Sequence, residues 1–143
     1  MVSAEKISRK FIRLDEYLTI LDKISETSGD LFVKDKIILG SAKYYLQVSI
    51  ETCLDVANHI IAAGRFRAPR DYADTFTVLE ENNIVHKNLA QKLRQMAKFR
   101  NRLVHLYGEV DDAFVYEFIT RDIDDIRRFR KAVMQQYISV PTG

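Results

Sequence analysis

Apolar residues recur every three or four positions over long stretches of this chain, a rhythm that predicts helices from one end to the other. Ile7, Phe11, Leu14, Leu18, Leu21 and Ile24 alternate by four and three, which predicts a first helix from near Ser3 to about Glu26 with a bundle seam on one side. Thr27-Ser28-Gly29-Asp30 breaks the rhythm, and Gly29 suits the position just past a helix end. A second long helix is expected from Lys34 or Asp35 to Ala63, with Gly64 as its stop. It is apolar around much of its girth and should be the central, most buried element.

After the basic loop Arg65-Phe66-Arg67-Ala68-Pro69-Arg70, a short helix is expected over Tyr72 to Glu81, burying Phe76 and Leu79 and ended by Asn82-Asn83. A basic helix follows from about Lys87 to Leu106, with Gly108 closing it. Asp111 or Asp112 is placed to cap a last helix with Val115, Ile119, Ile123, Ile126, Val133 and Tyr137 on one stripe, reaching Ser139. The expectation is an all-α antiparallel helical bundle of four long helices and one short one, in a single domain over residues 1–143.

Composition sharpens this. Five Gly and two Pro in 143 residues argue against short strands and turns, and 47% apolar content is enough for a core. One cysteine, Cys53, excludes an internal disulfide and a cysteine-based zinc cluster, which fits a reducing cytoplasm. The start, Met1-Val2-Ser3-Ala4-Glu5-Lys6, has no apolar leader and no run reaches a membrane span, so a cytoplasmic protein without a membrane is expected.

The net charge of +2 says little, but its distribution says more. Between Asn82 and Gly108 there is no Asp or Glu, while Lys87, Lys92, Arg94, Lys98, Arg100 and Arg102 supply six positive charges. Such a helix is either a solvated face balanced elsewhere in the fold or a surface for an anion such as RNA, with Arg94, Lys98 and Arg102 as its contacts. Arg100 differs from the others. It falls inside the apolar stripe Leu89, Leu93, Met96, Leu103 and Val104, where a permanently charged guanidinium needs an acid, a phosphate or a partner surface. On the central helix Tyr44, Gln47, Glu51, Asp55 and Asn58 share one polar sector, which either makes structural hydrogen bonds or lines a site opposite Arg100. Glu51 or Asp55 is the natural counter-charge. Asp55 and His59 are also an i, i+4 pair able to touch.

Several chemistries are absent from the sequence. There is no glycine-rich phosphate loop, no HExxH and no nucleophile elbow. Cys53 sits at an apolar position as core filler, and His59, His86 and His105 have no metal-ligand spacing. The acids Asp111-Asp112 and Asp122-Asp124-Asp125 read as capping and surface charge, so neither metal nor cofactor is expected. What remains is Arg100, His105 and Tyr107. A histidine taking the proton of a ribose 2′-OH, beside an arginine on the adjacent phosphate, suffices for metal-free RNA cleavage. Positions five apart point about 140° from each other on an ideal helix, so the pair needs a distorted helix end or a second copy across a two-fold axis.

Arg100-Asn101-Arg102-Leu103-Val104-His105-Leu106-Tyr107 resembles the Arg-Asn-x-x-x-His-x-Tyr signature of the HepT-like toxins of the HEPN superfamily of small helical ribonucleases. Ile50-Glu51-Thr52-Cys53-Leu54-Asp55-Val56-Ala57-Asn58-His59-Ile60-Ile61 looks like the family's central-helix signature. Tyr72 to Val85, Val115-Tyr116-Glu117 and Asp122-Ile123-Asp124-Asp125 look similar too. The resemblance implies a homodimer with a composite site between protomers and metal-independent endoribonuclease activity carried by Arg100 and His105, with Asn101, Glu51 and Asp55 in support. It also implies a toxin–antitoxin pair, whose nucleotidyltransferase antitoxin attaches AMP to Tyr107. A second reading is a non-catalytic subunit presenting substrate to a nucleotidyltransferase. In a third, Arg100 is only a structural ion pair fixing dimer register.

Overall fold

The computed structural model describes residues 1–105 and 111–138, with residue 105 described by its backbone alone. The first helix, α1 (Ala4–Ser25), starts at Ser3, whose hydroxyl accepts the Lys6 N–H as an N-cap. It buries Ile7, Phe11, Leu14, Leu18 and Leu21, the seam read from spacing. Thr27 to Asp30 is not simply a connection. Ser28 caps a short helix, α2 (Gly29–Lys34), which Phe32 anchors in the core. Gly29 thus opens a helix rather than ending one. The sequence cue fails because a side-chain cap and one buried aromatic suffice for so short an element.

The central helix, α3 (Lys36–Gly64), begins where Asp35 accepts the N–H groups of Ile37 and Ile38. Its buried hydroxyls are satisfied within the helix, Ser49 donating to the Tyr45 carbonyl and Thr52 to the Val48 carbonyl. At its end the left-handed residue is Arg65 (φ 58°), not Gly64. The Phe66 N–H donates to the Ile61 carbonyl and the Arg65 N–H to the Ala62 carbonyl, a Schellman closure. Gly64 serves another need, since a Cβ there would stand 2.8 Å from the Phe66 ring.

α4 (Tyr72–Glu81) starts on Asp71 and ends in a second such closure, with Asn83 left-handed (φ 61°) and the Ile84 N–H on the Leu79 carbonyl. α5 (Lys87–His105) is the basic helix. Asp111 caps α6 (Asp112–Glu117), which passes through a π-helical turn (Phe118–Asp122) into α7 (Ile123–Tyr137) without a break. The wide turn lets Phe118 and Ile119 both face inward, and the Thr120 hydroxyl donates to the Tyr116 carbonyl at 2.9 Å. The described residues thus form six helical stretches and no strand, one stretch more than the periodicity suggested. Gly108 and Ser139, expected as helix ends, lie outside the described residues.

Helix α1 runs antiparallel along α3, as the pairs Ser3 with His59, Lys10 with Asp55 and Tyr17 with Tyr45 record in turn. Helix α7 closes the other side of α1 through Arg127 with Asp22 and Arg130 with Asp15. Phe76 and Phe129 meet edge to face at 5.8 Å in the centre. Helices α4 and α5 lie across the remaining face of α3, bringing the basic helix against the polar sector of the central one.

Candidate active site

The geometry assigns Arg100 its counter-charge. Its Nη2 donates to Glu51 Oε1 at 2.9 Å, and Gln47 Nε2 donates to the same oxygen at 2.9 Å. The aliphatic stem of Arg100 follows the apolar stripe, as its place between Met96 and Leu103 requires, and only 13% of the side chain is exposed. On the far side Tyr72 covers the guanidinium, with 5.0 Å from its carbon to the ring centroid. Arg100 Nη1 makes a longer contact of 3.3 Å with Asn101 Oδ1, and Nε is buried without a partner among the described residues. The arginine is therefore held at the head group by one carboxylate and one ring, with donors in reserve.

The polar sector of α3 is not one unit. Its first half, Gln47 and Glu51, meets Arg100. The second half turns to α1: Asp55 pairs with Lys10 at 3.2 Å, which rules it out as the Arg100 counter-charge, and His59 Nε2 accepts the Ser3 N–H at 2.9 Å. That bond requires an unprotonated Nε2. Burial first, then Lys6 and the N-terminal ammonium, push the His59 pKa below its ordinary value. His59 therefore belongs to the start of α1, not to the Arg100 cluster. Cys53 is fully buried, and burial drives its thiol pKa far up, as suits core filler.

The candidate RNA contacts divide in the same way. Lys98 and Arg102 are exposed on α5. Arg94 instead reaches α4, donating to Glu80 at 2.9 Å and Thr77 at 3.4 Å, so its charge is balanced within the fold. The loop before α4 is less basic than its sequence. Arg67 grips Asp74 through both Nη atoms (2.8 and 2.9 Å) and Glu81 through Nε and Nη2 (2.9 and 3.0 Å), and this pairing holds the Asp74 carboxyl far below the usual carboxylate range. This clamp sets the start of α4, and hence Tyr72, over Arg100.

His105 is the last residue of α5, and its imidazole, like Leu106, Tyr107 and Gly108, lies outside the described residues. Sequence reasoning missed two things. Tyr72 carries no motif, and its signal was only an aromatic at the head of a helix beside a basic loop. Asp125 was read as surface charge, yet it is buried in α7, with Arg128 Nη1 3.7 Å from its carboxylate. Among the described residues no three His, Cys, Asp or Glu side chains gather as a metal site would need, and no helix is long and apolar enough to cross a membrane.

Comparison with known proteins places this geometry in a family setting. The family described as ribonuclease HepT-like matches residues 14–133. The mRNA nuclease HepT of Shewanella oneidensis is 31% identical over 105 residues, which cover 73% of this chain and 75% of that protein. A putative RNase of Archaeoglobus fulgidus is 27% identical over 129 residues, 89% of this chain and 91% of the relative. A solved structure of the tri-AMPylated HEPN toxin of Shewanella oneidensis in complex with its MNT antitoxin has a TM-score of 0.83 at 26% identity, over 90% of this chain and 96% of that one.

Proposed function

The chain belongs to the ribonuclease HepT-like family, and from that membership we propose that it is a metal-independent endoribonuclease toxin of a toxin–antitoxin pair, acting through Arg100 and His105. The observation that carries this reading is Arg100 itself. A charge that sits in an apolar stripe and is oriented by Glu51 and Gln47 is costly as mere structure, and useful as a fixed phosphate clamp.

In this reading His105 takes the proton of a ribose 2′-OH, and the 2′ oxygen attacks the adjacent phosphorus. The bond to the 5′ oxygen breaks, and the imidazolium returns the proton to that leaving oxygen. Arg100 neutralises charge gathering on the equatorial phosphate oxygens, with Glu51 positioning it and Asn101 supporting it. The products are a 2′,3′-cyclic phosphate and a 5′-OH. No metal or cofactor enters.

We place the working site between two copies of the chain. Ile37, Tyr44 and Glu51 follow one another at seven-residue spacing on α3, and Ile37 and Tyr44 are exposed apolar residues on that line, as a seam for a second protomer would be. Tyr72, also exposed in part, flanks Arg100 beside it. A nucleotidyltransferase antitoxin transferring AMP to Tyr107 would add a bulky anion two residues from His105 and so exclude RNA by size and charge. The similar HEPN toxin of Shewanella oneidensis is known tri-AMPylated and in complex with an MNT antitoxin.

The test mixes two inactive variants. Arg100→Ala and His105→Ala proteins, each without activity on RNA in EDTA, should regain part of it when mixed and allowed to exchange subunits. Wild-type activity with no recovery on mixing would overturn the composite site, and inactive wild-type protein free of AMP would overturn the nuclease.

A further inference from the structure

Away from Arg100, on another face of α5, an open groove of about 400 Å³ runs between α5 and the α6–α7 helix. Its walls carry opposite charge. Lys92, Lys98 and Arg102 stand along the α5 wall, while Glu117, Asp122 and Asp125 stand on the other. None of the three cations has an ion-pair partner among the described residues, whereas Glu117 is tied to Arg121 at 3.4 Å. The α5 wall spans about 15 Å from Lys92 to Arg102 at the helical rise, room for roughly two to four nucleotides of single strand. Near the Arg102 end Phe114 projects half exposed (52%), and Phe118 beneath it is stacked on Phe99 with the rings 2° from parallel.

At the far end lies Asp125. Its side chain is nine-tenths buried, it accepts no hydrogen bond among the described residues, and its nearest cation, Arg128 Nη1, stands 3.7 Å away. Its oxygens are reached by solvent from the groove and take no protein donor among the described residues, so they are open to donors from a ligand. The segregated charges orient a polyanion: phosphates favour the α5 wall, and the acids turn them from the α7 wall, where only bases can lie. Guanine alone among the four bases offers two adjacent donors, N1–H and the N2 amino group, to a single carboxylate. The positions of Lys98, Arg102 and His105 follow one another at four- and three-residue spacing, so the same side of α5 leads from the groove to the histidine.

We propose that this groove holds single-stranded RNA flanking the cleaved bond, with phosphates on Lys98 and Arg102, one base stacked on Phe114, and a guanine further along read by Asp125. The inference rests on the nuclease reading for its connection to the cut, but its test does not require cleavage. In a His105→Ala background, Phe114→Trp introduces a fluorophore into a chain without tryptophan. Hexauridylate should quench it, and a uridylate hexamer containing one guanosine should bind about tenfold more tightly, the ratio expected of one bidentate base contact. Asp125→Asn should erase that ratio while leaving hexauridylate affinity unchanged, and Phe114→Ala should weaken both RNAs about tenfold in a filter-binding assay.

Absence of quenching by either RNA, or a guanine preference that survives Asp125→Asn, would overturn the proposal. So would a signal that answers only to an added nucleotidyltransferase protein, which would make the groove a protein-docking surface. Quenching as described by a protein that never cleaves RNA would remove the nuclease reading and leave this one standing.

Discussion

Glu51 and Arg100 join the central helix to the basic helix through one oxygen, Oε1, which accepts from Arg100 Nη2 and Gln47 Nε2 at 2.9 Å each. Removing the carboxylate strands a mostly buried guanidinium. Glu51→Ala should cost about 2 kcal/mol, as loss of a charge-assisted hydrogen bond does, and should depress RNA cleavage by freeing the arginine. Arg100→Met should restore much of the stability in the Glu51→Ala background but none of the activity. Urea denaturation of the four proteins gives the coupling, and strictly additive losses would show the pair to be inert.

The His59–Ser3 bond predicts a stability change with pH. The folded-state pKa of His59 is lowered, so the unfolded chain takes up its proton first as pH falls. The contribution is whole above the ordinary histidine value, near 6.5, and is lost as pH drops below it. Wild type should therefore lose stability relative to His59→Gln between pH 7.5 and 5, read as converging melting temperatures. Parallel curves would contradict the assignment.

For Asp125 the sign reverses. Burial, then Asp122, raises its folded-state pKa, with Asp124 adding to the rise while Lys92 and Arg128 oppose it. The folded state holds the proton to higher pH than the unfolded chain, so stability from this group is present in acid and lost as pH rises through the window above the ordinary carboxylate value. At neutral pH the ionised carboxylate is a cost. Asp125→Asn should raise the melting temperature at pH 7, and the gain should vanish towards pH 3.5.

Arg67 holds Arg65 to Asp71 against α4 through Asp74 and Glu81. Arg67→Ala should open that loop, so that trypsin cuts after Arg65 and Arg70 in the variant at concentrations that leave the wild-type loop whole. Mass spectrometry of the early fragments would show it. Because Tyr72 follows the loop, the variant should also lose part of its activity on RNA.

Much of this was legible in the sequence because it depended on local rules. The Ile7 to Leu21 seam, the helix starts near Ser3 and Asp35, a cap at Asp111 or Asp112 and the Asn82-Asn83 stop are set by neighbours three or four residues away. The conflict at Arg100 was legible too, since a guanidinium in an apolar stripe demands a partner wherever the helix packs. Choosing Glu51 over Asp55 was not. The two acids lie one turn apart, and only the packing of α1 decides which of them Lys10 takes. Gly64 misled for a similar reason, because its small size serves the Phe66 ring and not a left-handed turn. Asp125 was hidden by its neighbours: amid Asp122 and Asp124 it reads as a solvated acid, and only the packing of α7 on α5 buries it.

The central claim is that the 2′-OH of the RNA is the nucleophile, with Arg100 and His105 as the machinery. It is tested most directly by single-turnover cleavage in EDTA of two matched oligonucleotides, one all-ribose and one with 2′-deoxyribose at the cleaved nucleotide. The account predicts cleavage of the first to a 2′,3′-cyclic phosphate and a 5′-OH, and none at the deoxy position of the second. Equal cleavage of both, or products ending in a 3′-OH and a 5′-phosphate, would contradict it.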